Sequence, residues 1–466
     1  MASPGIEPER IQQLNERNVQ RGDYVLYWMQ QSQRAEYNHA LEYAIQRAND
    51  LGQPCLAAFG LMDSYPEANL RHYTFMLEGL KETRETLAER GILLLVRFGN
   101  PFDIAMDLGR KASLIVCDRG YLRHQKAWRE KVAEQAPCLV MQVESDIIVP
   151  VEIVSNKAEY AARTIRPKIQ RHMDSYLKEP APTPLQKGSL GMPLDGVDLN
   201  DLPKILAQLK IDRTVSPVSP HFPGGARAAR RFFQEFLEHR FSRYAAHHNQ
   251  PQTDDVSHMS PYLHFGQISP LYLALRARNA PNTSDESREA FLEELLVRRE
   301  LAINFVHYNP DYDAFSGLPE WARQTLLDHA GDKREHLYTQ SQLERAATHD
   351  EYWNAAMEEM KITGYMHNSM RMYWGKKILE WSRTPEEAFL TTLTLNNKYF
   401  LDGRDPNSYA GVAWILGLHD RPWKERPIYG KIRYMSASGL ERKCDIRAYV
   451  QKVRKQVEKP SQNSAD

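Results

Sequence analysis

The chain has 466 residues, with 60 basic and 60 acidic side chains, 42% apolar residues and 26% charged residues. The length predicts two or three domains. With no apolar run near 18 residues and no apolar leader, a membrane-spanning or secreted protein is not expected. We expect a globular monomer in the cytoplasm, or in the nucleus of a eukaryote.

The first third alternates short apolar runs with amphipathic stretches. The runs predict strands at residues 24–29, 55–61, 92–98, 113–117 and 138–143, and the stretches predict helices at 37–51, 68–90, 102–110 and 121–134. Strands buried on both faces and joined by helices are typical of a doubly wound parallel sheet, here of about five strands. No GxGxxG motif follows the first strand, so the dinucleotide fingerprint is absent. We assign the α/β domain to residues 21–150, after an N-terminal extension at 1–20.

The remainder of the chain divides into a connection and a helical part. Residues 151–225 are rich in proline, which favours a long connection that wraps the domains. Beyond it, apolar residues recur with a helical period at 226–244, 269–278, 287–308, 343–364, 366–381, 385–395 and 408–416. These patterns predict a large all-α domain at 226–457, followed by a polar tail at 458–466.

The four cysteines show no CxxC spacing, so a zinc knuckle is not expected. Three of them, Cys55, Cys117 and Cys138, lie in strand-like runs and are interpreted as buried small hydrophobic residues. An iron–sulfur cluster bound by these three and Cys444 is the alternative. No other set of metal ligands is expected.

Zero net charge conceals a basic C-terminal segment. Between residues 420 and 455 there are eleven Lys or Arg residues (421, 424, 426, 431, 433, 442, 443, 447, 452, 454 and 455) and four acids (420, 425, 441 and 445). A local basic surface is sufficient to bind a phosphate backbone, although a solvated basic segment would show the same composition.

The segment 363–381 has an unusual distribution of polar and aromatic residues. In a helix, Asn368, Arg371 and Trp374 share much of one face. Trp381 follows Trp374 by two turns, about 10.5 Å along the axis. A guanidinium and two indoles on a mostly buried helix favour the wall of a cofactor site. The alternative is a core helix whose Arg pairs with a carboxylate.

Five segments in the same order resemble one protein family. Residues 257–269 (SHMSPYLHFGQIS), 363–381 and 396–411 (NNKYFLDGRDPNSYAG), together with 27–30 (YWMQ) and 430–435 (GKIRYM), resemble the photolyase/cryptochrome family. Within it they are similar to the class II cyclobutane pyrimidine dimer photolyases. The resemblance covers residues 21–455. It implies an α/β antenna-type domain, a helical domain that holds FAD, and light-driven lyase activity on ultraviolet-damaged DNA.

The resemblance also implies which residues bind the flavin. Those matching its phosphate and ribityl contacts are Tyr244, Ser257, Met259, Ser260 and Leu263. Arg371 and Asp402 match a buried ion pair beside the ring, which favours the anionic reduced form FADH−, and we expect them to meet because either charge alone would be costly to bury. Asn396 matches the residue that faces flavin N5.

On the substrate side, Glu294 matches the acid that contacts a carbonyl of the dimer, and its neighbour Glu293 is expected to be solvated. In a dry pocket the pKa of Glu294 would rise, so that the neutral acid donates a hydrogen bond. Some relatives have Trp where this chain has Arg298. The remaining matches or candidates on this side are Asn368, Met372, Trp414 and Trp423 for the lesion, and Lys431, Arg433, Arg442 and Lys443 for DNA phosphates.

Three tryptophans match an electron relay that reduces oxidised flavin under light. The resemblance implies that Trp374 lies next to the flavin, Trp353 in the middle and Trp381 outermost. Photolyases flip the damaged bases out of the duplex, and we expect the same here. The antenna pigment is left open between a deazaflavin, another pigment and none, and Ser32 stands where relatives often have Asp.

Two other functions fit part of the pattern. A cryptochrome-like photoreceptor would keep the flavin and the tryptophans but would not repair DNA. A non-photochemical helical flavoprotein would use the α/β domain for protein contacts, but it gives no reason for the basic C-terminal segment. The short polar tail favours repair over signalling, because a long C-terminal extension is expected of a signalling protein.

Overall fold

The computed structural model describes residues 6–458. The expected polar tail lies outside these residues except for Glu458, which ends the last helix. Among the described helices, none combines the length and the apolar character needed to cross a membrane.

The N-terminal part is built on one six-stranded sheet. Its strands are β1 (Ile11–Gln13), β2 (Tyr24–Trp28), β3 (Cys55–Leu61), β4 (Leu93–Phe98), β5 (Ala112–Asp118) and β6 (Leu139–Val143). The strand order is β1-β6-β5-β2-β3-β4, and all neighbours are parallel except β1, which pairs antiparallel with β6. The doubly wound parallel sheet is therefore confirmed. The expectation of about five strands missed β1, because this edge strand has only three residues and two of them are exposed glutamines.

Helices cover both faces of the sheet. They are α1 (His39–Asp50), α2 (Leu70–Glu89), α3 (Pro101–Gly109) and α4 (Arg123–Gln135), followed by α5 (Val151–Val154), α6 (Ala162–Tyr176) and α7 (Leu202–Gln208). Side chains of β2 alternate between two separate cores, with Val25 and Tyr27 in one and Leu26 and Trp28 in the other. This alternation is the reason that the strands appear as continuous apolar runs.

The C-terminal part is helical. Its elements are α8 (Ala226–His239), α9 (Tyr244–His247), α10 (Ser260–His264), α11 (Pro270–Arg278), α12 (Asp285–Leu292), α13 (Arg299–Tyr308), α14 (Glu320–Asp328), α15 (Gln340–Glu344), α16 (Glu351–Thr363), α17 (Asn368–Trp381), α18 (Pro385–Tyr399), α19 (Pro406–Ile415), α20 (Ala437–Glu441) and α21 (Ile446–Glu458). Gly364 ends α16 in the left-handed conformation (φ 71°), and Thr384 caps α18 through Glu387 N–H.

Three sequence expectations need correction. The helix expected at 287–308 contains a π-helical turn, Glu293–Arg298, between α12 and α13. The helix expected at 343–364 is divided, since α15 ends at Glu344 and α16 begins at Glu351. The connection 151–225 is not a plain loop, because α6 packs Ile165 into the core of the helical part. The prolines that signalled a loop are concentrated after α6.

The cysteines do not form a cluster. All four are free thiols, with Cys55, Cys117 and Cys138 buried in or beside the sheet. Within residues 6–458 no three His, Cys, Asp or Glu side chains are arranged to hold a metal ion. The iron–sulfur alternative is therefore wrong.

The two parts of the chain are joined by a buried arginine. Arg71 of α2 donates from Nη1 to the carbonyls of Met360 (3.1 Å) and Tyr399 (2.6 Å), and from Nη2 to that of Lys361 (2.5 Å). These carbonyls lie at the C-terminal ends of α16 and α18, where helices leave acceptors unpaired and favour a positive charge. The sheet thereby fixes the position of two helices of the C-terminal part.

A carboxylate fills the crevice at the switch point of the sheet. Here β2 is flanked by β5 on one side and β3 on the other, a position where doubly wound folds often bind ligands. Asp118, at the end of β5, accepts hydrogen bonds from the backbone N–H groups of Gln30, Gln31 and Ser32. These amides are therefore not available to a phosphate, which agrees with the missing glycine motif.

Glu300 of α13 links the helical part to the segment that leaves the sheet. Its Oε1 accepts hydrogen bonds from the N–H groups of Ile148 (2.8 Å) and Val149 (3.4 Å). Burial raises the pKa of this carboxyl from 4.5 to about 8. Between these pH values the folded chain holds a proton on Glu300 that the unfolded chain has lost. The contribution of Glu300 to the free energy of unfolding is therefore greatest at low pH and decreases as the pH rises to about 8.

We expect Glu300→Gln to remove this pH dependence. The amide oxygen still accepts both hydrogen bonds, but no proton has to be retained. Thermal unfolding between pH 5 and pH 8 should show a smaller loss of Tm in the variant than in the wild type, with Glu289→Gln, an exposed position, as the control. Equal losses of Tm in all three proteins would contradict the role assigned to Glu300.

Candidate functional site

The helical part encloses a cavity of about 500 Å³. This is within the range of about 300–1,000 Å³ typical of ligand pockets. All the predicted flavin contacts line it, as do several of the predicted substrate contacts: Tyr244, Ser257, Met259, Ser260, Leu263, Glu294, Asn368, Arg371, Met372, Trp374, Asn396, Asp402 and Trp414. These residues come from six helices and the segments between them, so the fold brings together motifs that are far apart in the chain.

The expected ion pair is present at the cavity wall. Arg371 Nη2 donates to Asp402 Oδ1 (2.9 Å) and Oδ2 (3.0 Å), and Arg371 Nε donates to the Met366 carbonyl (3.0 Å). The guanidinium also lies 3.9 Å from the ring centroid of Phe400. Both charged side chains are at least four-fifths buried, so each compensates the other.

Asn396 is held by two hydrogen bonds near the end of α18. Its amide nitrogen donates to Asn397 Oδ1 (3.0 Å) and to the Ser408 hydroxyl. The residue is 5% exposed and lies in α18. A fixed neutral amide at a cavity wall presents a hydrogen-bonding group that does not titrate.

Two adjacent glutamates of the π-helical turn have different surroundings. Glu294 lines the cavity but is exposed to solvent there, so the pocket around it is not dry, contrary to expectation; partial desolvation by the surrounding protein still raises its pKa. Glu293 forms a two-point ion pair with Arg166, whose hydrogen bonds of 2.9 and 2.7 Å lower the pKa of that carboxyl. Glu293 is therefore held in an ion pair, whereas the sequence predicted a freely solvated side chain. Single π-helical turns are frequent at functional sites, and this one was not apparent in the sequence.

The three tryptophans of the expected relay are in contact. Trp374 lines the cavity and is parallel to Trp353, with ring centroids 6.4 Å apart and an angle of 12°. Trp353 Nε1 donates to the Trp374 carbonyl (2.9 Å), and Trp381 lies 5.6 Å beyond it. Trp381 is itself only 2% exposed, and the half-buried Tyr338 lies 5.3 Å farther out.

The predicted DNA contacts near the C-terminus lie outside the cavity lining. Trp423 is 43% exposed, and the guanidiniums of Arg421 and Arg433 lie 6.0 and 5.2 Å from its ring centroid. Lys431 and Arg442 are exposed. Trp423, Lys431, Arg433 and Arg442 thus lie on the surface, whereas Trp414 lines the cavity.

Sequence reasoning missed three histidines of the cavity. His258, His367 and His419 each have one buried ring nitrogen that has no hydrogen-bond partner within the described part of the chain. Burial lowers the pKa of His367 and His419 to about 4, so both are neutral at pH 7. His258 and His367 lie inside or beside the motifs quoted above, but His419 had no sequence signal.

Comparison with known proteins agrees with this site. The family model for DNA photolyase matches residues 25–186. The deoxyribodipyrimidine photo-lyase of Methanothermobacter thermautotrophicus is 49% identical over 96% of this chain and 99% of its own length. That of Oryza sativa is 41% identical over 96% of this chain and 90% of its own length.

Solved structures show the same fold at low sequence identity. A class III photolyase from Agrobacterium tumefaciens has a TM-score of 0.73 at 18% identity, covering 95% of this chain and 91% of its own. A Synechocystis cryptochrome has a TM-score of 0.70 at 16% identity, covering 92% and 89%. An archaeal photolyase from Sulfolobus tokodaii, solved with two FAD molecules, has a TM-score of 0.68 at 17% identity, covering 92% and 89%.

The ion pair at the cavity wall should be expensive to break from one side. Asp402→Ala leaves Arg371 as an uncompensated buried cation, and we expect a loss of about 3–5 kcal/mol in the free energy of unfolding. The double variant Arg371→Met/Asp402→Leu removes both charges and should lose less. Urea unfolding of the three proteins measures this, and a double variant less stable than Asp402→Ala would contradict the interpretation.

Proposed function

We propose that this chain, which belongs to the DNA photolyase family, repairs cyclobutane pyrimidine dimers in DNA with the energy of absorbed light. Membership rests on four relatives named deoxyribodipyrimidine photo-lyase, between 39% and 49% identical over at least 92% of the chain. The motifs at 257–269, 363–381 and 396–411 support placement in class II. The proposal rests on one observation: Arg371, Asp402, Glu294 and Trp374 all line one cavity. Trp374 is the first ring of a tryptophan column, formed by Trp374, Trp353 and Trp381.

The cavity fits FAD as the cofactor. Its volume suffices for the flavin ring system, and the unpaired buried nitrogens of Trp374, His258 and His367 need hydrogen-bond partners that a polar ligand supplies. Ser257 and Ser260 precede or open α10 and would hold the phosphates, while Arg371 and Asn396 would hold the ring. When bound and reduced, FAD supplies the electron that splits the dimer after excitation and takes it back afterwards.

The tryptophan column gives electrons a path into the cavity. The ring centroids of Trp374 and Trp353 are 6.4 Å apart, and those of Trp353 and Trp381 are 5.6 Å apart. Each transfer of an electron between neighbouring rings therefore covers a short distance. This column would restore the reduced cofactor after oxidation. The low exposure of all three rings keeps the path dry.

Substrate contacts divide between the cavity and the surface. Asn368, Met372 and Trp414 line the cavity and would surround an extruded dimer, whose weakened pairing lowers the cost of flipping. The exposed cations Lys431, Arg433 and Arg442 would bind the flanking phosphates, and Trp423 offers a surface for stacking.

The sheet part has a cavity at the carboxyl end of its strands where an antenna pigment could be sought. It is lined by Gln30, Gln33, Phe59 and Trp128 among others and has a volume of about 80 Å³. That is well below the ~300 Å³ at which pockets for organic ligands begin, so the side chains would have to move to admit a pigment. The proposed repair needs only light absorbed by the flavin itself.

Direct repair is the decisive test of the activity. Protein loaded with reduced FAD should convert the thymine dimers of an ultraviolet-damaged oligonucleotide back to thymines under blue light but not in the dark. If the dimers persist although the flavin is fully reduced, repair is rejected and the photoreceptor alternative, whose fold the Synechocystis cryptochrome also has, is favoured.

Trp374→Phe should stop photoreduction of oxidised flavin. The substitution removes the indole that links the cavity to Trp353. We expect repair to remain near the wild-type level once the flavin is reduced chemically, with Trp321→Phe, outside the column, as the control. Photoreduction is measured by the flavin absorbance under illumination. A wild-type rate in Trp374→Phe would show that the column is not the path.

The pH dependence of repair should report Glu294. Desolvation raises the pKa of this carboxyl, so the protonated donor is present below that pKa and is lost as the pH rises through it. A hydrogen bond to a charged group contributes about 1.5–3 kcal/mol, so Glu294→Ala should slow ring opening roughly 10- to 150-fold. Glu294→Gln, which keeps a donor at every pH, should remove the pH dependence.

Repair quantum yields between pH 5 and pH 9, at constant flavin content, provide the measurement. The same decline with pH in the wild type and in Glu294→Gln would assign the titration to another group.

A further inference from the structure

Arg298 ends the π-helical turn and lies at the opening of the cavity. It lines the same wall as Glu294, and its guanidinium carbon is 5.6 Å from the ring centroid of Trp414. The side chain is 34% exposed, more than those of Arg371 and Asp402 deeper in the site. Arg298 therefore lies where a ligand entering from solvent passes.

The charge of Arg298 is not fully compensated. Its Nε lies 3.3 Å from Glu293 Oε1, but this nitrogen is buried and makes no hydrogen bond within residues 6–458. The same carboxylate is already engaged by Arg166 through two hydrogen bonds. One carboxylate thus faces two guanidiniums, and one positive charge remains at the cavity opening.

Other groups near Arg298 do not supply the missing negative charge. Trp414 is uncharged, and burial lowers the pKa of His419 to about 4, so this imidazole is neutral. The carboxyl of Glu294 faces the same cavity, and desolvation raises its pKa more than the charge of Arg298 lowers it, which favours the neutral acid. The planar, multiply donating guanidinium is suited to phosphate oxygens, and the ring of Trp414 lies beside it.

We propose that Arg298 binds the phosphate that joins the two nucleotides of the extruded dimer. The inference rests on the proposed repair function and adds a specificity contact to it: the site recognises a dinucleotide by its backbone charge as well as by its bases. Flavin phosphates are the other source of this anion, but their expected site is at Ser257 and Ser260, and Arg298 lies with Trp414 at the opening.

The test is equilibrium binding in the dark at several salt concentrations. FAD-loaded wild type, Arg298→Gln and Arg298→Lys are titrated with a single-stranded oligonucleotide that carries one thymine dimer. Loss of one phosphate contact should reduce the slope of log K against log salt concentration by about 0.7 in Arg298→Gln, while Arg298→Lys keeps it. Arg110→Gln, at an exposed arginine of the sheet part, is the matched control.

A second probe carries a dimer whose thymidines are joined by an uncharged linker. Wild type should bind this probe with the reduced slope of Arg298→Gln, a comparison that does not depend on the variant folding. A full slope with the uncharged linker, or equal slopes for Arg298→Gln and Arg110→Gln, would overturn the proposal. Loss of flavin from Arg298→Gln would also overturn it, by assigning the anion to the cofactor.

These outcomes are distinct from a failure of the repair function. If the wild type neither prefers the dimer over undamaged oligonucleotide nor repairs it under light, the proposed function fails first. If the wild type does both and Arg298→Gln keeps the control slope, only the phosphate contact is wrong.

Discussion

The buried ion pair between Arg371 and Asp402 is the interaction on which the site depends. It ties α17 to the turn that follows α18, and those two helices carry Trp374 and Asn396, which line the same cavity. A buried charge pair of this kind adds little net stability compared with apolar residues. What the pair adds is a cation at the wall of the cavity, beside the proposed flavin, which an apolar pair would not supply.

The site is assembled by the sheet as well as by the helices. Arg71, from a helix of the sheet part, holds the carbonyl ends of α16 and α18, and α16 carries Trp353 of the tryptophan column. The column and Asn396 are therefore positioned from the same anchor. Sheet and helical part cooperate in this way although the switch-point crevice is filled by Asp118.

Much of this arrangement could be predicted from the sequence. Helical periodicity located α17, and the resemblance of two segments, 363–381 and 396–411, placed Arg371, Asp402 and Asn396 at one site, because short motifs carry local chemistry. The π-helical turn was missed since it differs from an α-helix only in its hydrogen bonding, and the uncompensated charge of Arg298 depends on Arg166, which is distant in the chain. The unpaired ring nitrogen of His419 likewise depends on packing.

The proposed function requires that the helical part holds one flavin in the cavity next to Trp374. The most direct test is the absorption spectrum of purified, folded protein incubated with FAD, with the released flavin quantified after denaturation. The account predicts one FAD per chain and a flavin spectrum altered by the protein environment. Folded protein that remains colourless and takes up no FAD would contradict it.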